Sequence, residues 1–190
     1  MEQRNNFIVL SGNLCTGKTS LAKSLNELNN FKLFMTREIL KKLAPPSFLS
    51  KYHTEREGLI NYSIELDKNE NGQWIADNIS LKTVSNHNII VDSIRLISQL
   101  RALDNKFKPI SRFFHIHLKC TDEILSQRFA ARNENKRENI TNSIHDFYKA
   151  KEHIIELQSS ELEVYADMVI ITDMFSSADI YNQVIGRILF

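Results

Sequence analysis

The chain has 190 residues and a mass of 22.1 kDa, enough for one domain with its own core and too short for two ordinary domains joined by a linker. Apolar residues make up 42% and charged residues 25%, which leaves disordered, collagen-like and coiled-coil readings without support. Lys and Arg number 24 against 23 Asp and Glu, so no overall charge draws the chain toward nucleic acid or an anionic membrane.

The longest unbroken apolar runs are four residues, Phe7 to Leu10 and Met168 to Ile171, far below a membrane span or the apolar stretch of an export signal. Cys15 and Cys120 stand far apart, so free thiols are expected in place of a disulfide framework or a zinc cluster. The expectation is a soluble, cytoplasmic protein with a single domain over 1–190.

Short β-rich runs alternate with longer helical patterns, the signature of βαβ units and a mostly parallel sheet. Strands are expected near Phe7 to Ser11, Phe31 to Thr36, Asn88 to Asp92, Arg112 to Lys119 and Asp167 to Thr172. The first helix should follow from Gly17 to Leu28. The residues from about 37 to 85 are helical in character and too many for a simple crossover, so they read as a helical insertion between the second and third strands. Further helices are expected from Ser93 to Leu103, from Thr121 to Asn133, from Ser143 to Val164, and from Ser176 or Ser177 onward. Thr121 followed by Asp122 and Glu123 is a good helix start, with a capping hydroxyl and carboxylates at the positive end of the dipole.

The strongest motif is Gly12-Asn13-Leu14-Cys15-Thr16-Gly17-Lys18-Thr19, a full G-x-x-x-x-G-K-T between a strand pattern and a helix pattern that opens with Ser20. Its chemistry explains its residues. Glycines let successive amides turn inward toward phosphate oxygens, and the following helix adds its N-terminal dipole. Lys18 is expected to bridge the β- and γ-phosphates, and Thr19 to ligate Mg²⁺ through its hydroxyl. Asn88-Ile89-Ile90-Val91-Asp92 places an acid at the carboxyl edge of the sheet, where open α/β sheets bind ligands. From there Asp92 either holds Mg²⁺ through water or takes a proton from an acceptor hydroxyl; an N-cap of the next helix is the structural alternative.

On these motifs the chain resembles the P-loop NTPases, and more narrowly the nucleoside and nucleotide monophosphate kinases. The resemblance implies an α/β, three-layer P-loop NTPase fold: a five-stranded parallel sheet, helices on both faces, and the helical insertion between strands 2 and 3. It implies ATP and Mg²⁺, with Gly12 through Ser20 cradling the nucleotide, Thr19 and Asp92 at the metal, and Lys18, Asp92 and Arg132 acting in transfer. Arg37, after the second strand, and Arg95, within Asp92-Ser93-Ile94-Arg95, would grip the acceptor's phosphate. Arg128 would stack on the ATP base. The polar stretch at about 133–142, with Lys136 and Arg137, corresponds to a short lid, though a solvated loop fits its alternating charges equally well. Tyr52, Tyr62 and Trp74, with His53, lie in the insertion where this branch binds its acceptor base, although aromatics in such helices more often pack than stack.

The leading functional expectation is therefore transfer of the γ-phosphate of ATP to a nucleoside monophosphate, in nucleotide metabolism. The alternative is a P-loop kinase that phosphorylates a hydroxyl of a nucleoside or other small metabolite. A phosphate acceptor needs arginines, whereas a hydroxyl needs a carboxylate base, and this chain offers both. A nucleotide-binding switch is weaker, because the chain lacks an Asp-x-x-Gly after the third strand. The expected partner is a small-molecule acceptor, with no nucleic acid and no membrane.

Overall fold

The computed structural model describes residues 4–136 and 144–188. Five parallel strands form one sheet: β1 (Asn6–Ser11), β2 (Lys32–Met35), β3 (Ile89–Asp92), β4 (Arg112–Lys119) and β5 (Met168–Ile171), in the order β2-β3-β1-β4-β5. β1 is central and buried along its whole length, as expected of a parallel strand covered on both faces.

The alternation along β1 divides the core. Phe7 and Val9 face one layer with Ile89, Val91 and Phe107, and Phe7 stacks on Phe107 at a centroid distance of 4.6 Å. Ile8 and Leu10 face the opposite layer with Ile90, Ile116 and Leu118, against α1 (Lys18–Asn29) and α11 (Ser177–Ile188). Side chains two apart on a strand share a face, and each such buried side chain stabilises the fold by roughly 1.5–3 kcal/mol.

Between β2 and β3 run five helices, α2 (Thr36–Leu43), α3 (Pro46–Leu49), α4 (Glu55–Glu70), α5 (Gln73–Asp77) and α6 (Leu81–Asn86), the insertion expected from sequence. Trp74 is buried in its core at 2% exposure, Tyr62 packs against the same cluster and Tyr52 packs against Phe48. These aromatics therefore pack.

Two helices depart from expectation. Residues 93–96 are irregular, and α7 (Ile97–Phe107) begins after an N-cap at Leu96, so Asp92 caps no helix. The long helix expected from Ser143 to Val164 is broken into α9 (Ile144–Lys151), α10 (Ile154–Glu161) and a 3-10 turn over Leu162–Tyr165. α8 (Asp122–Lys136) takes up the first residues expected for the lid, whose remainder from 137 to 142 lies outside the described residues. Among the described residues no helix is long and apolar enough to cross a membrane.

Candidate active site

The sheet register assembles the site. β1 ends into the glycine-rich loop, and Leu10 lies beside Asp92 of β3, which in turn lies beside Met35 of β2. The loop, Asp92 and the Thr36–Arg37 start of α2 thus share one edge of the sheet.

The loop needs glycine at two positions. Gly12 has φ +126°, and a Cβ there would sit 2.1 Å from the Leu118 carbonyl oxygen, so β4 packs directly against bare backbone. Gly17 has φ +95°, which turns the chain into α1. Lys18 folds back over the loop and donates to the Gly12 carbonyl at 2.7 Å and to the Asn13 carbonyl at 2.5 Å. Burial, reinforced by the Arg95 guanidinium, lowers the Lys18 ammonium pKa to about 8, while Glu156 and Asp92 oppose the shift.

Asp92 is buried at 6% exposure. Burial raises its carboxyl pKa, against the Thr19 hydroxyl and the Lys18 and Arg95 charges, which favour the ionised form. Thr19 and Asp92 are hard oxygen donors facing one another, suited to Mg²⁺ shared with phosphate oxygens. Among the described residues no group of three or more His, Cys, Asp or Glu is arranged to hold a metal unaided.

A cavity of about 590 Å³ opens between the loop and the insertion. Lys18, Thr19, Asp92, Arg95, Arg128 and Arg132 line it on the loop side. Leu40, Leu59, Ile60 and Ser63 line it on the insertion side together with Arg37 and Arg56.

The expected arginines occupy different places in it. Arg37 is at the rim, bonded to Glu55 at 2.7 Å with its side chain half exposed, and Lys41 joins the same carboxylate at 3.0 Å. Both cations hold the Glu55 carboxyl pKa below its usual value. Arg95 points inward and pairs with Glu156, which is 2% exposed. Its backbone N–H donates to Gln99 Oε1 at 2.9 Å, and Gln99 Nε2 donates to Asp67 Oδ2 at 2.7 Å. Arg128 donates to the Thr172 hydroxyl at 3.0 Å and the Thr172 carbonyl at 2.8 Å, spanning from α8 to the end of β5. Lys151 pairs with Asp122 and is not among the cavity-lining residues.

Two site residues were not anticipated. Arg56 lies in the first turn of α4, whose start is set by Thr54 accepting from the Glu57 amide at 3.1 Å. Surrounding protein and the Arg95 charge depress its pKa, with Glu156 opposing, and among the described residues it has no ion-pair partner. Thr54 and Glu57 mark the helix start in sequence, but not that this turn faces the loop. Glu156 is the other; an acid set within Ile154-Ile155-Glu156-Leu157 was the available signal.

Residues 8–163 match the AAA_18 family, described as an AAA domain. No curated protein matches the chain significantly. Three solved structures share its fold. One is a shikimate kinase from Acinetobacter baumannii in complex with shikimate, 16% identical over 99% of this chain and 94% of that chain, with a TM-score of 0.57. Another is a gluconokinase from Sinorhizobium meliloti, 14% identical over 97% of this chain and 92% of that chain, TM-score 0.55. The third is the YorR protein from Bacillus subtilis in complex with phosphorylated GDP, 16% identical over 96% of this chain and 95% of that chain, TM-score 0.53. At these identities the likeness speaks to fold, and it bears out the P-loop resemblance carried by the glycine-rich loop.

Proposed function

The chain belongs to the AAA_18 family, a P-loop kinase family, and from that premise we propose that it transfers the γ-phosphoryl group of ATP to a hydroxyl of a small anionic metabolite. The observation that carries this reading is Asp92, a buried carboxyl with raised proton affinity that lines the cavity at the foot of the phosphate loop. A carboxylate made more basic by burial is suited to take the proton of an attacking hydroxyl, a step that a phosphate acceptor does not require.

The loop amides and Lys18 hold the triphosphate, and Thr19 would hold Mg²⁺. When bound, Mg²⁺ supplies charge neutralisation across the β- and γ-phosphates. Asp92 accepts the acceptor's hydroxyl proton as the new P–O bond forms and the bond to the β-phosphate oxygen breaks, releasing ADP. Arg56 holds an anionic group of the acceptor, with Leu40, Leu59 and Ile60 against its carbon skeleton. Such an acceptor is in keeping with the fold shared with a shikimate kinase and a gluconokinase.

A nucleoside monophosphate is the second reading, favoured by the gathering of Arg56, Arg95 and Arg132 around one cavity. Under it Arg37 would exchange Glu55 for the acceptor's phosphate. A coupled assay of ADP release over hydroxy acids, phosphorylated sugars, nucleosides and nucleoside monophosphates tests the choice. Monophosphates outcompeting every hydroxyl acceptor would overturn the main reading.

A further inference from the structure

Glu156 is a buried charge with no part in the transfer described above, yet it touches the phosphate loop itself. Its Oε2 accepts the Leu14 N–H at 2.9 Å, and its Oε1 takes the Arg95 guanidinium. Both donors lie at the end of the loop where Lys18 Nζ sits on the Gly12 and Asn13 carbonyls. A P-loop lysine reaches the β- and γ-phosphates, so this is the terminal-phosphate end; the inner phosphates meet the start of α1. A loop amide beside an inward-pointing guanidinium is a donor set that suits a phosphoryl oxygen. In this structure a carboxylate has it.

We propose that the Leu14 amide and the Arg95 guanidinium form the seat of the nucleotide's terminal phosphoryl group, and that Glu156 is an internal anion which occupies this seat until the nucleotide displaces it. The proposal rests on the ATP-dependent reading and moves Arg95 from the acceptor side of the site to the transferring group. It explains why a carboxylate is tolerated beside a phosphate loop: buried donors left unpaired are costly, and Glu156 satisfies both while the seat is empty. Arg95 and Lys18 hold the Glu156 carboxyl pKa below its usual value although burial alone would raise it, so the group competes as an anion. The Arg95 backbone is meanwhile held in place, its N–H bonded to Gln99, which in turn bonds Asp67.

α10 also grips the loop without Glu156. Ser159 Oγ donates to the Gly12 carbonyl at 3.1 Å. Removing the charge therefore leaves the brace, and a test can separate the two.

Calorimetric titration of wild type and Glu156→Gln with Mg²⁺-ADP and with a non-hydrolysable Mg²⁺-ATP analogue distinguishes occupancy of the seat from a purely structural role. A ligand lacking the terminal phosphoryl group does not compete with Glu156, whereas one carrying it does. The expected result is that the ATP analogue binds the variant roughly tenfold or more tightly than wild type, while ADP changes by less than about twofold. An unchanged or weaker ATP-analogue affinity, or an equal shift for both nucleotides, overturns the proposal. Should Glu156→Gln not fold, Glu156→Asp, whose shorter arm cannot span both donors, must shift the analogue in the same direction. Wild-type protein that binds neither nucleotide overturns the ATP-dependent reading, and this proposal with it.

Discussion

Ser11 Oγ lies 2.9 Å from Nδ1 of His117, so the residue immediately before the phosphate loop is tied to a buried imidazole on the neighbouring strand. The same hydroxyl is 2.7 Å from His115 Nε2, and His115 Nδ1 is 3.0 Å from the Tyr165 carbonyl oxygen. A carbonyl only accepts, so His115 carries its proton on Nδ1 and receives the Ser11 hydroxyl proton at Nε2. His117 Nδ1–H then donates to Ser11. Both rings are neutral in this chain of bonds.

Burial lowers the His117 pKa from 6.5 to about 4 and lowers that of His115 as well. Because the folded-state value lies below the unfolded one, the unfolded chain takes up protons first as the pH falls. The His117 contribution is complete above about pH 6.5 and is lost toward pH 4, an effect of about 3 kcal/mol. Denaturant unfolding at pH 7.5 and at about pH 4.5 should show this loss, and His117→Asn, which keeps a donor for Ser11, should flatten it. An equally steep acid loss in the variant would assign the sensitivity to other groups.

Lys18 should govern nucleotide binding above neutral pH. Its ammonium pKa of about 8 in the free protein means that phosphate binding, which favours the charged form, takes up a proton near that pH. Calorimetry near pH 8 in buffers of different ionisation enthalpy should reveal the uptake, and affinity should fall as the pH rises further. Lys18→Ala should abolish the uptake and slow transfer by roughly 10²-fold or more, with a much smaller loss of stability. Near wild-type turnover by this variant would contradict the assignment of the loop.

Asp92 separates the two acceptor readings through the acid limb of the pH profile. As a base with a raised pKa it loses function as the pH falls through that value, so wild-type kcat/KM should drop on the acid side above the usual carboxylate range. Asp92→Asn should be slower by roughly 10²-fold and lack this limb. A variant that keeps the limb and recovers activity with added Mg²⁺ would point to a metal role alone, and to the phosphate acceptor.

Arg56 and Arg37 both reach the cavity, and among the described residues only Arg37 of the two is in an ion pair, with Glu55. Arg56→Lys keeps the charge and loses the guanidinium fork, so the acceptor's KM should rise about tenfold while nucleotide affinity holds. Arg37→Lys should change the same constant by less than about threefold, since exposed pairs contribute little. The reverse order of effects in steady-state kinetics would return the acceptor's anion to Arg37.

The phosphate loop could be read from the chain alone because its chemistry is local. Gly12 and Gly17 answer to backbone conformation, and Lys18 and Thr19 act within a few residues of them. The strand pattern was equally legible, since Phe7 and Val9 against Ile8 and Leu10 report directly on two buried faces of one strand. Relations between elements distant in sequence were not. Ser93 to Leu96 carries no breaker to warn that the helix starts only at Ile97. His153 interrupts a helical pattern with no glycine or proline, and that break separates α10, which carries Glu156 to Leu14 across 142 positions of sequence. Whether an arginine faces the cavity, as Arg56 does, or serves an ion pair at its rim, as Arg37 does, depends on how α2 and α4 pack. That packing is set by apolar burial of Leu40 and Leu59 in one core, a long-range effect to which the exposed pairs of Glu55 with Arg37 and Lys41 add little.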